Sequence, residues 1–300
     1  MKSRKLQSRA AVYAVLTLAA LTFAGMMTYA QSTSLPVSFK FTSFDYPGAT
    51  ATQGNTINNS NSIVGFYTDS SGVDHGFAGA KNQLKNLDYP GSAASQLWGI
   101  NDSNQLIGYY TDSSGINHGY SYSKSAGYAS FDYPSAEDTY GYGNNNAGDV
   151  VGAFIDSSGL EHGYLEHKGN FTQIDYPSAE TTEAVGINTA GVIVGLFLDS
   201  TGAEHGYTYT VAHKNFTQID FPSASVTVLD KVNDMNQAVG WFEDSSGVYH
   251  GYGTAKGKFL QIDYPSSTAT RTRGVNNDDH IVGQWTDSSG VAHGFVGVPQ

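Results

Sequence analysis

The sequence predicts an all-β fold, a six-bladed β-propeller made of four-stranded blades. Three observations predict it. A unit of about 43 residues occurs six times, each unit reads as four short strands, and the two chain ends are out of phase with the repeat. Closing such sheets into a ring leaves only short, protected sheet edges. An open stack of the same sheets is the alternative.

The repeat is marked by an Asp-Tyr/Phe-Pro tripeptide that recurs at intervals of 43 to 45 residues. Its copies begin at Asp45, Asp88, Asp132, Asp175, Asp220 and Asp263. Eleven residues after each proline stands an asparagine: Asn58, Asn101, Asn145, Asn188, Asn233 and Asn276. An Asp-Ser-Ser/Thr-Gly turn follows at Asp69, Asp112, Asp156, Asp199, Asp244 and Asp287. A His-Gly-Phe/Tyr tripeptide follows the turn, at His75, His118, His162, His205, His250 and His293.

The fourth unit illustrates one blade. Residues 182–188, 192–198, 205–211 and 215–221 are rich in β-branched and aromatic residues, which favour strands. Gly, Asn, Asp and Ser separate these segments, as tight turns require. The unit therefore predicts four strands.

The chain ends predict how the ring closes. Residues 37–46 match a fourth strand that lacks its first three, and residues 293–298 match a third strand that lacks its fourth. We expect the N-terminal strand to complete the last blade, which would leave no open edge.

Residues 1–30 have the features of a secretory signal peptide. The basic residues are Lys2, Arg4, Lys5 and Arg9. An uncharged stretch over 10–27 and the small-x-small tripeptide 28–30 follow, so we predict cleavage after Ala30. An uncleaved anchor is the alternative, although 18 residues rich in Ala, Thr and Gly are short for a spanning helix. Residues 31–300 would then form one domain that is extracellular, periplasmic or at the cell surface, without membrane insertion.

Composition excludes several classes of protein. The 300 residues carry a net charge of −12, which becomes −16 without residues 1–30, and this opposes nucleic-acid binding. The absence of cysteine excludes disulfides and thiolate metal sites. An aromatic content of 13% with only 14% charged residues opposes intrinsic disorder.

One family resembles this chain. The string Gly186-Ile-Asn-Thr-Ala-Gly-Val-Ile-Val-Gly195, followed by Gly202-Ala-Glu-His-Gly-Tyr207, resembles the extracellular HAF-type repeat of secreted bacterial proteins. The resemblance covers residues 41–298, with His-Gly-Phe/Tyr in place of His-Ala-Phe. It implies a secreted, propeller-like repeat array and no established activity, so no catalytic residue is carried over. The Asp-Ser-Ser-Gly hairpin also looks like the Asp-box turn of sialidase propellers.

We interpret the repeated aspartates and histidines as a structural network. Each aspartate is expected to cap its own turn, and each histidine to bond a nearby carbonyl or carboxylate. The six histidines cannot share a metal, because a third strand lies at least about 10 Å outside the first. We therefore predict no metal or cofactor. Bound calcium is the alternative, with oxygen ligands at 276–279 or 101–104.

A single ligand site is expected where the blades differ, at the sixth and eighth residues after each proline. These pairs are Gln53 and Asn55, Gln96 and Trp98, Tyr140 and Tyr142, Glu183 and Val185, Val228 and Asp230, and Arg271 and Arg273. From these we predict a site for an anionic or sugar ligand at the channel mouth, formed by Arg271, Arg273, Tyr140, Tyr142, Trp98 and Glu183. Alternatively, the two arginines only balance Glu183, Asp230 or the acidic rim.

These features favour a secreted, non-enzymatic binding or display module whose partner is a glycan or an extracellular protein. No Gly-x-Ser-x-Gly elbow or phosphate-binding motif is present. One alternative is a glycoside hydrolase or lyase that uses Glu183, Asp230 and the tyrosines at the channel mouth. Hydrolysis would require the two carboxylates to lie about 5–9 Å apart. A purely structural role in the envelope or matrix is the other. Propellers serve all three roles, so the fold cannot decide among them.

Overall fold

The computed structural model describes residues 35–36 and 38–300, which form six four-stranded antiparallel sheets. The innermost strands of neighbouring sheets contact each other all the way round, so the sheets close into a ring. The fold is the predicted six-bladed β-propeller. The predicted signal peptide lies outside the described residues. In the part described, no helix has the length and apolar character to cross a membrane.

The strands are numbered along the chain from β1 (Phe39–Phe44). Blade 1 contains β2 (Ala51–Ile57), β3 (Ile63–Thr68), β4 (Asp74–Gly79) and β5 (Lys85–Asn86). Blade 2 contains β6 (Ala94–Ile100), β7 (Leu106–Thr111), β8 (Asn117–Ser123) and β9 (Gly127–Phe131). Blade 3 contains β10 (Asp138–Asn144), β11 (Val150–Ile155), β12 (Glu161–His167) and β13 (Asn170–Ile174).

Blade 4 contains β14 (Thr181–Ile187), β15 (Val192–Leu198), β16 (Glu204–Thr210) and β17 (Asn215–Ile219). Blade 5 contains β18 (Val226–Val232), β19 (Ala238–Glu243), β20 (Tyr249–Ala255) and β21 (Lys258–Gln261). Blade 6 contains β22 (Ala269–Val275), β23 (Ile281–Thr286), β24 (Ala292–Pro299) and, as its outermost strand, β1. The strands predicted for the fourth unit agree to within two residues at every boundary.

The N-terminal strand closes the ring, as the phase of the repeat predicts. Strand β1 pairs antiparallel with β24, with Phe39 opposite Pro299 and Phe44 opposite Gly294. Phe44 is 7% exposed and packs in a cluster with Phe77 of blade 1 and Val296 of blade 6. The closing strand therefore also joins the last blade to the first.

Each blade has a β-bulge at the same place, between its innermost and second strands. The bulged residue is the eighth after the proline: Asn55, Trp98, Tyr142, Val185, Asp230 and Arg273. The bulge places the carbonyl oxygen of the sixth residue after the proline in contact with a glycine of the second strand. A Cβ on Gly152, for example, would lie 1.8 Å from the Tyr140 carbonyl oxygen. The bulge thus requires the glycine that follows two apolar residues in the second strand of every blade.

The core lies between the blades. The aromatic residue after each His-Gly is fully buried: Phe77, Tyr120, Tyr164, Tyr207, Tyr252 and Phe295. Because the strands alternate in direction, the Asp-Tyr/Phe-Pro loops and Asp-Ser-Ser/Thr-Gly turns share one face, here called the aspartate face. The turns that begin at the repeated asparagines lie on the opposite face, the asparagine face. The channel runs between these two faces.

Candidate functional site

The repeated aspartates and histidines form one closed motif in every blade. Each histidine ring lies between two carboxylates, with Nδ1 2.7–3.1 Å from the Asp of Asp-Tyr/Phe-Pro and Nε2 3.4–3.7 Å from the Asp of the turn. The turn aspartate accepts bonds from its own turn, as Asp69 does from the N–H groups of Ser71 and Val73. In blade 6 the partner of His293 is Asp45, next to β1. These contacts connect the third strand of each blade to the turn before it and to the loop after the fourth strand.

Aromatic stacking reinforces this network. The ring of each Asp-Tyr/Phe-Pro stacks on an aromatic ring of the second strand, and that ring stacks on the histidine. In blade 4, the ring centroid of Tyr176 lies 3.7 Å from that of Phe197, and the ring centroid of Phe197 lies 5.1 Å from that of His205. In the described chain, no group of three or more His, Asp or Glu residues is arranged to hold a metal ion.

The repeated asparagines form a closed ring of hydrogen bonds on the asparagine face. Each side-chain Nδ2 donates to the backbone carbonyl of the equivalent asparagine in the next blade, from Asn58 to Asn101 and finally from Asn276 back to Asn58. Each Oδ1 accepts two N–H groups of its own turn, as Asn188 does from Ala190 and Val192. The sequence predicted turn formers, and the structure adds that they tie neighbouring blades together.

Both calcium candidates have asparagine oxygens engaged in this arrangement. Asn101 Oδ1 accepts the N–H groups of Ser103 and Gln105, and both oxygens of Asp102 accept bonds from neighbouring blades. Asn276 Oδ1 likewise accepts the N–H groups of Asp278 and His280. The asparagines therefore act here as turn caps.

The six blades give the channel four chemically different sectors. Blade 1 contributes amides that bond internally, with Gln53 Nε2 2.7 Å from Asn55 Oδ1. Blades 2 and 3 contribute aromatic rings, blades 4 and 5 mainly carboxylates, and blade 6 arginines. The channel lining is therefore asymmetric although the scaffold repeats.

The aromatic sector is a continuous group of rings. Between ring centroids, Trp98 lies 5.2 Å from Tyr142, Tyr142 lies 5.9 Å from Tyr140, and Tyr140 lies 5.0 Å from Tyr109 of β7. Hydrogen bonds hold two of them, since Trp98 Nε1 donates to Gln96 and the Tyr140 hydroxyl accepts from Asn117. Such partly buried rings with fixed orientations are suited to stacking on a ligand.

The two predicted arginines have different environments. Arg273 makes an ion pair with Asp230 at 3.0 Å, and the two side chains are only 12% and 3% exposed. Its guanidinium also lies 5.5 Å from the Trp98 ring centroid. For Arg273 the alternative interpretation therefore holds in part, because it balances Asp230. Burial nevertheless raises the pKa of Asp230, and its Oδ2 is buried without a hydrogen-bond partner.

Arg271 makes no such ion pair among the described residues. Its guanidinium lies 4.0 Å from the Tyr249 ring centroid and 4.7 Å from that of Trp241. Its Nε is buried without a hydrogen-bond partner. Tyr249 and Trp241 were not among the predicted site residues, because they lie on second and third strands of blade 5 that sequence position alone does not place at the channel.

Lys231 is a further channel residue that the sequence analysis missed. It occupies the ninth position after the proline, where four of the six blades have glycine. Its Nζ donates to the Val185 carbonyl at 2.9 Å and lies 6.0 Å from the Trp98 ring centroid. Burial lowers the pKa of its ammonium group to about 7. It also lines a cavity of about 80 Å³ at the asparagine face.

Glu183 belongs to a group of carboxyls with perturbed acidity. Burial raises its pKa well above the usual value, and the nearby charges of Glu161, Glu204 and Asp230 raise it further. Burial also raises the pKa values of Glu161 and Glu204, which begin β12 and β16. The positions of Glu161 and Glu183 correspond to Asp74 in blade 1 and Gln96 in blade 2. There a hydrogen bond replaces the pair of carboxyls, since Gln96 Nε2 donates to Asp74 at 2.7 Å.

Comparison with known proteins identifies the fold. No protein-family model matches the sequence, and no curated protein matches it. The structure is similar to a lectin from Aleuria aurantia in complex with Fucα1-6GlcNAc, with a TM-score of 0.52 and 11% identity over 85% of this chain and 93% of the lectin. It is also similar to the SapL1 lectin in complex with alpha methyl fucoside, with a TM-score of 0.55 and 8% identity over 81% and 90%. It is similar as well to the β-propeller domain of the Trilobed protease from Pyrococcus furiosus, with a TM-score of 0.55 and 12% identity over 83% of this chain and 81% of that domain's chain. These similarities show a shared β-propeller fold.

Proposed function

We propose that this protein is a secreted, non-enzymatic propeller that binds a glycan at the channel mouth on the aspartate face. The observation that carries this proposal is the asymmetric channel lining. Aromatic rings, carboxyls and arginines from different blades contact one another in the channel, as Arg273 of blade 6 contacts Trp98 of blade 2 and Asp230 of blade 5, whereas the repeated residues are engaged in the scaffold. Sugar sites combine aromatic platforms with a few fixed polar groups in this way.

The comparisons support the same proposal through their fold. Two of the similar propellers are lectins solved with fucose-containing ligands, so the architecture is compatible with carbohydrate binding. Fold alone does not carry a function, and the protease domain among the neighbours illustrates this. Secretion is proposed from the basic and apolar N-terminal segment and from the resemblance to HAF-type repeats.

The test is binding of the full chain to a panel of polysaccharides and fucosides, with a Tyr140→Ala variant beside the wild type. Loss of an aromatic platform should weaken binding by about tenfold or more, because such contacts contribute about 1–2 kcal/mol or more. Tyr128→Ala, on the outer strand of blade 2, is the control and should bind as the wild type does. Binding that survives Tyr140→Ala unchanged would move the ligand away from the channel, and no binding to any glycan would overturn the proposal.

A carbohydrate-active enzyme is the second candidate, favoured by the carboxyl group of Glu183. A general acid for glycoside cleavage needs a raised pKa, and burial together with Glu161 gives Glu183 one. Asp230 is a poor choice for the second carboxylate, because it is buried in its ion pair with Arg273. Turnover of any bound glycan that disappears in Glu183→Gln, while binding persists, would establish the enzyme; turnover by neither form would exclude it for that glycan.

A further inference from the structure

Arg271 is a cation that the protein holds in place without a carboxylate within ion-pair distance among the described residues, although Tyr249, Asp230 and Glu204 interact with its charge. The rings of Tyr249 and Trp241 fix its guanidinium on two sides, 4.0 Å and 4.7 Å from their centroids. Of the two arginines beyond the N-terminal segment, only Arg273 has a carboxylate within ion-pair distance in the described residues. In a chain with 27 acidic and 15 basic residues, such an arginine is unusual.

A cavity lies beside this arginine, between blades 5 and 6. It has a volume of about 160 Å³ and is lined by Tyr249, Ala269, Thr270, Arg271, Gln284 and Thr286. A second cavity of about 260 Å³ continues from it along the interface of the two blades and shares Tyr249 and Ala269 with it. Together they offer room for a sugar unit with a substituent directed at Arg271.

The hydrogen bonding of this arginine is also incomplete. Its Nε and the Trp241 Nε1 are both buried without hydrogen-bond partners. A buried donor that lacks an acceptor costs free energy, which a bound acceptor recovers. The planar guanidinium matches the oxygen pair of a carboxylate or sulfate, and its ring contacts restrict its rotation, so little entropy is lost on binding.

We infer that the cavity beside Arg271 binds the oxoanion group, carboxylate or sulfate, of an acidic glycan. This inference rests on the proposed function and specifies its ligand class. Arg271 supplies the charge, Tyr249 and Trp241 hold it in place, and the adjoining cavity between blades 5 and 6 accommodates the sugar that carries the group.

Matched glycans test this inference on the full chain. Pectate is compared with fully methyl-esterified pectin, and dextran sulfate with dextran, by isothermal titration calorimetry; inorganic sulfate alone is a separate arm. The acidic member of at least one pair should bind about tenfold or more tightly than its neutral form, as expected for a charged hydrogen bond. The variant Arg271→Gln, whose new residue stands naturally at this position in blades 1 and 2, should abolish that difference.

Two controls keep the result specific. Lys258→Gln removes the same charge from an exposed position on the outer strand of blade 5 and should leave the difference intact. Arg271→Lys should restore only part of it, because an ammonium group lacks the fork of a guanidinium.

The outcomes separate the two proposals. Equal binding of acidic and neutral forms by the wild type would overturn the oxoanion site and keep glycan binding. An acidic preference that survives Arg271→Gln would overturn the role of this cavity. Binding of inorganic sulfate as tightly as the glycan would replace the glycan by a free anion, and no binding in any arm would overturn both proposals.

Discussion

At the scale of single residues, charge on two of the repeated histidines, His75 and His205, contributes to stability. Burial opposes the charge of His75 and His205, but hydrogen bonds to their aspartate pairs outweigh it, and both pKa values are raised above 6.5. The N–H group of Val73, and then that of Ser71, lower the pKa of Asp69 below 3.8. The pKa values of the other turn aspartates are lowered as well.

These shifts predict a bell-shaped dependence of stability on pH. The contribution of the histidines is complete below their unfolded pKa and is lost as pH rises through the raised folded value. The contribution of the aspartates is complete above their unfolded pKa and is lost as pH falls through the lowered value. The melting temperature should therefore be highest between about pH 4 and 6.5.

Melting curves across this range, for the wild type and the double variant His75→Gln/His205→Gln, check the prediction. Glutamine does not titrate, so the variant should show a smaller fall in melting temperature on the alkaline side. A wild-type melting temperature that does not fall above about pH 6.5 would contradict the assignment.

At the scale of one turn, the closed ring of asparagine hydrogen bonds predicts that substitutions at two adjacent residues change the free energy of unfolding by different amounts. Asn188→Ala removes the bonds from Nδ2 to the Asn233 carbonyl and to Asn236, and leaves the N–H groups of Ala190 and Val192 without their acceptor. Because Asn188 is 3% exposed, we expect a loss of about 2–4 kcal/mol in the free energy of unfolding.

Chemical denaturation measures this loss, with Thr189→Ala as the control. Thr189 is exposed; its backbone N–H, which the substitution keeps, donates to Asp234, and the substitution removes only the side-chain hydrogen bond to the same exposed carboxylate. The control should change stability by less than about 0.5 kcal/mol. Equal effects of the two substitutions would show that the ring of asparagines does not stabilise the protein.

At the scale of elements, the sequence was sufficient for the strands and insufficient for the bulges. Turn residues and β-branched segments recur in every unit, so the boundaries of the fourth blade could be predicted to within two residues. A bulge has no residue signature of its own at this position, since Asn55, Trp98, Tyr142, Val185, Asp230 and Arg273 are all different. Its indirect signal is the glycine of the second strand that stands opposite it in every blade.

The candidate site was predictable where it lies on the innermost strands. Comparing equivalent positions across six blades finds asymmetric residues, and the same comparison at the ninth position would have found Lys231. Tyr249, Trp241 and Glu161 could not be found in this way. They interact with the predicted site residues Arg271 and Glu183 across the interface between neighbouring blades, and those interactions depend on the packing of one sheet against the next.

At the scale of the whole molecule, stability should depend on the closing strand. Phe44 of β1 is buried against Phe77 and Val296, and its ring fills the space above Gly294. Phe44→Ala should lower the free energy of unfolding by about 3–5 kcal/mol, as for other large core residues. Lys40→Ala, at an exposed position of the same strand, should change it by less than about 0.5 kcal/mol.

Urea denaturation of both variants checks the role of β1. If Phe44→Ala is as mild as Lys40→Ala, the ring does not depend on this contact for its closure. A separate unfolding step for blade 6 would likewise contradict a ring that unfolds as one unit.

The central claim is that the ligand binds where the blades differ and not where they repeat. The stoichiometry of binding tests it most directly. Isothermal titration of the full chain with a short acidic oligosaccharide from the glycan panel should give one site per chain, and in Arg271→Gln this site should bind the acidic and neutral forms equally. A stoichiometry near six per chain would place the ligand on the repeated surfaces and contradict the account.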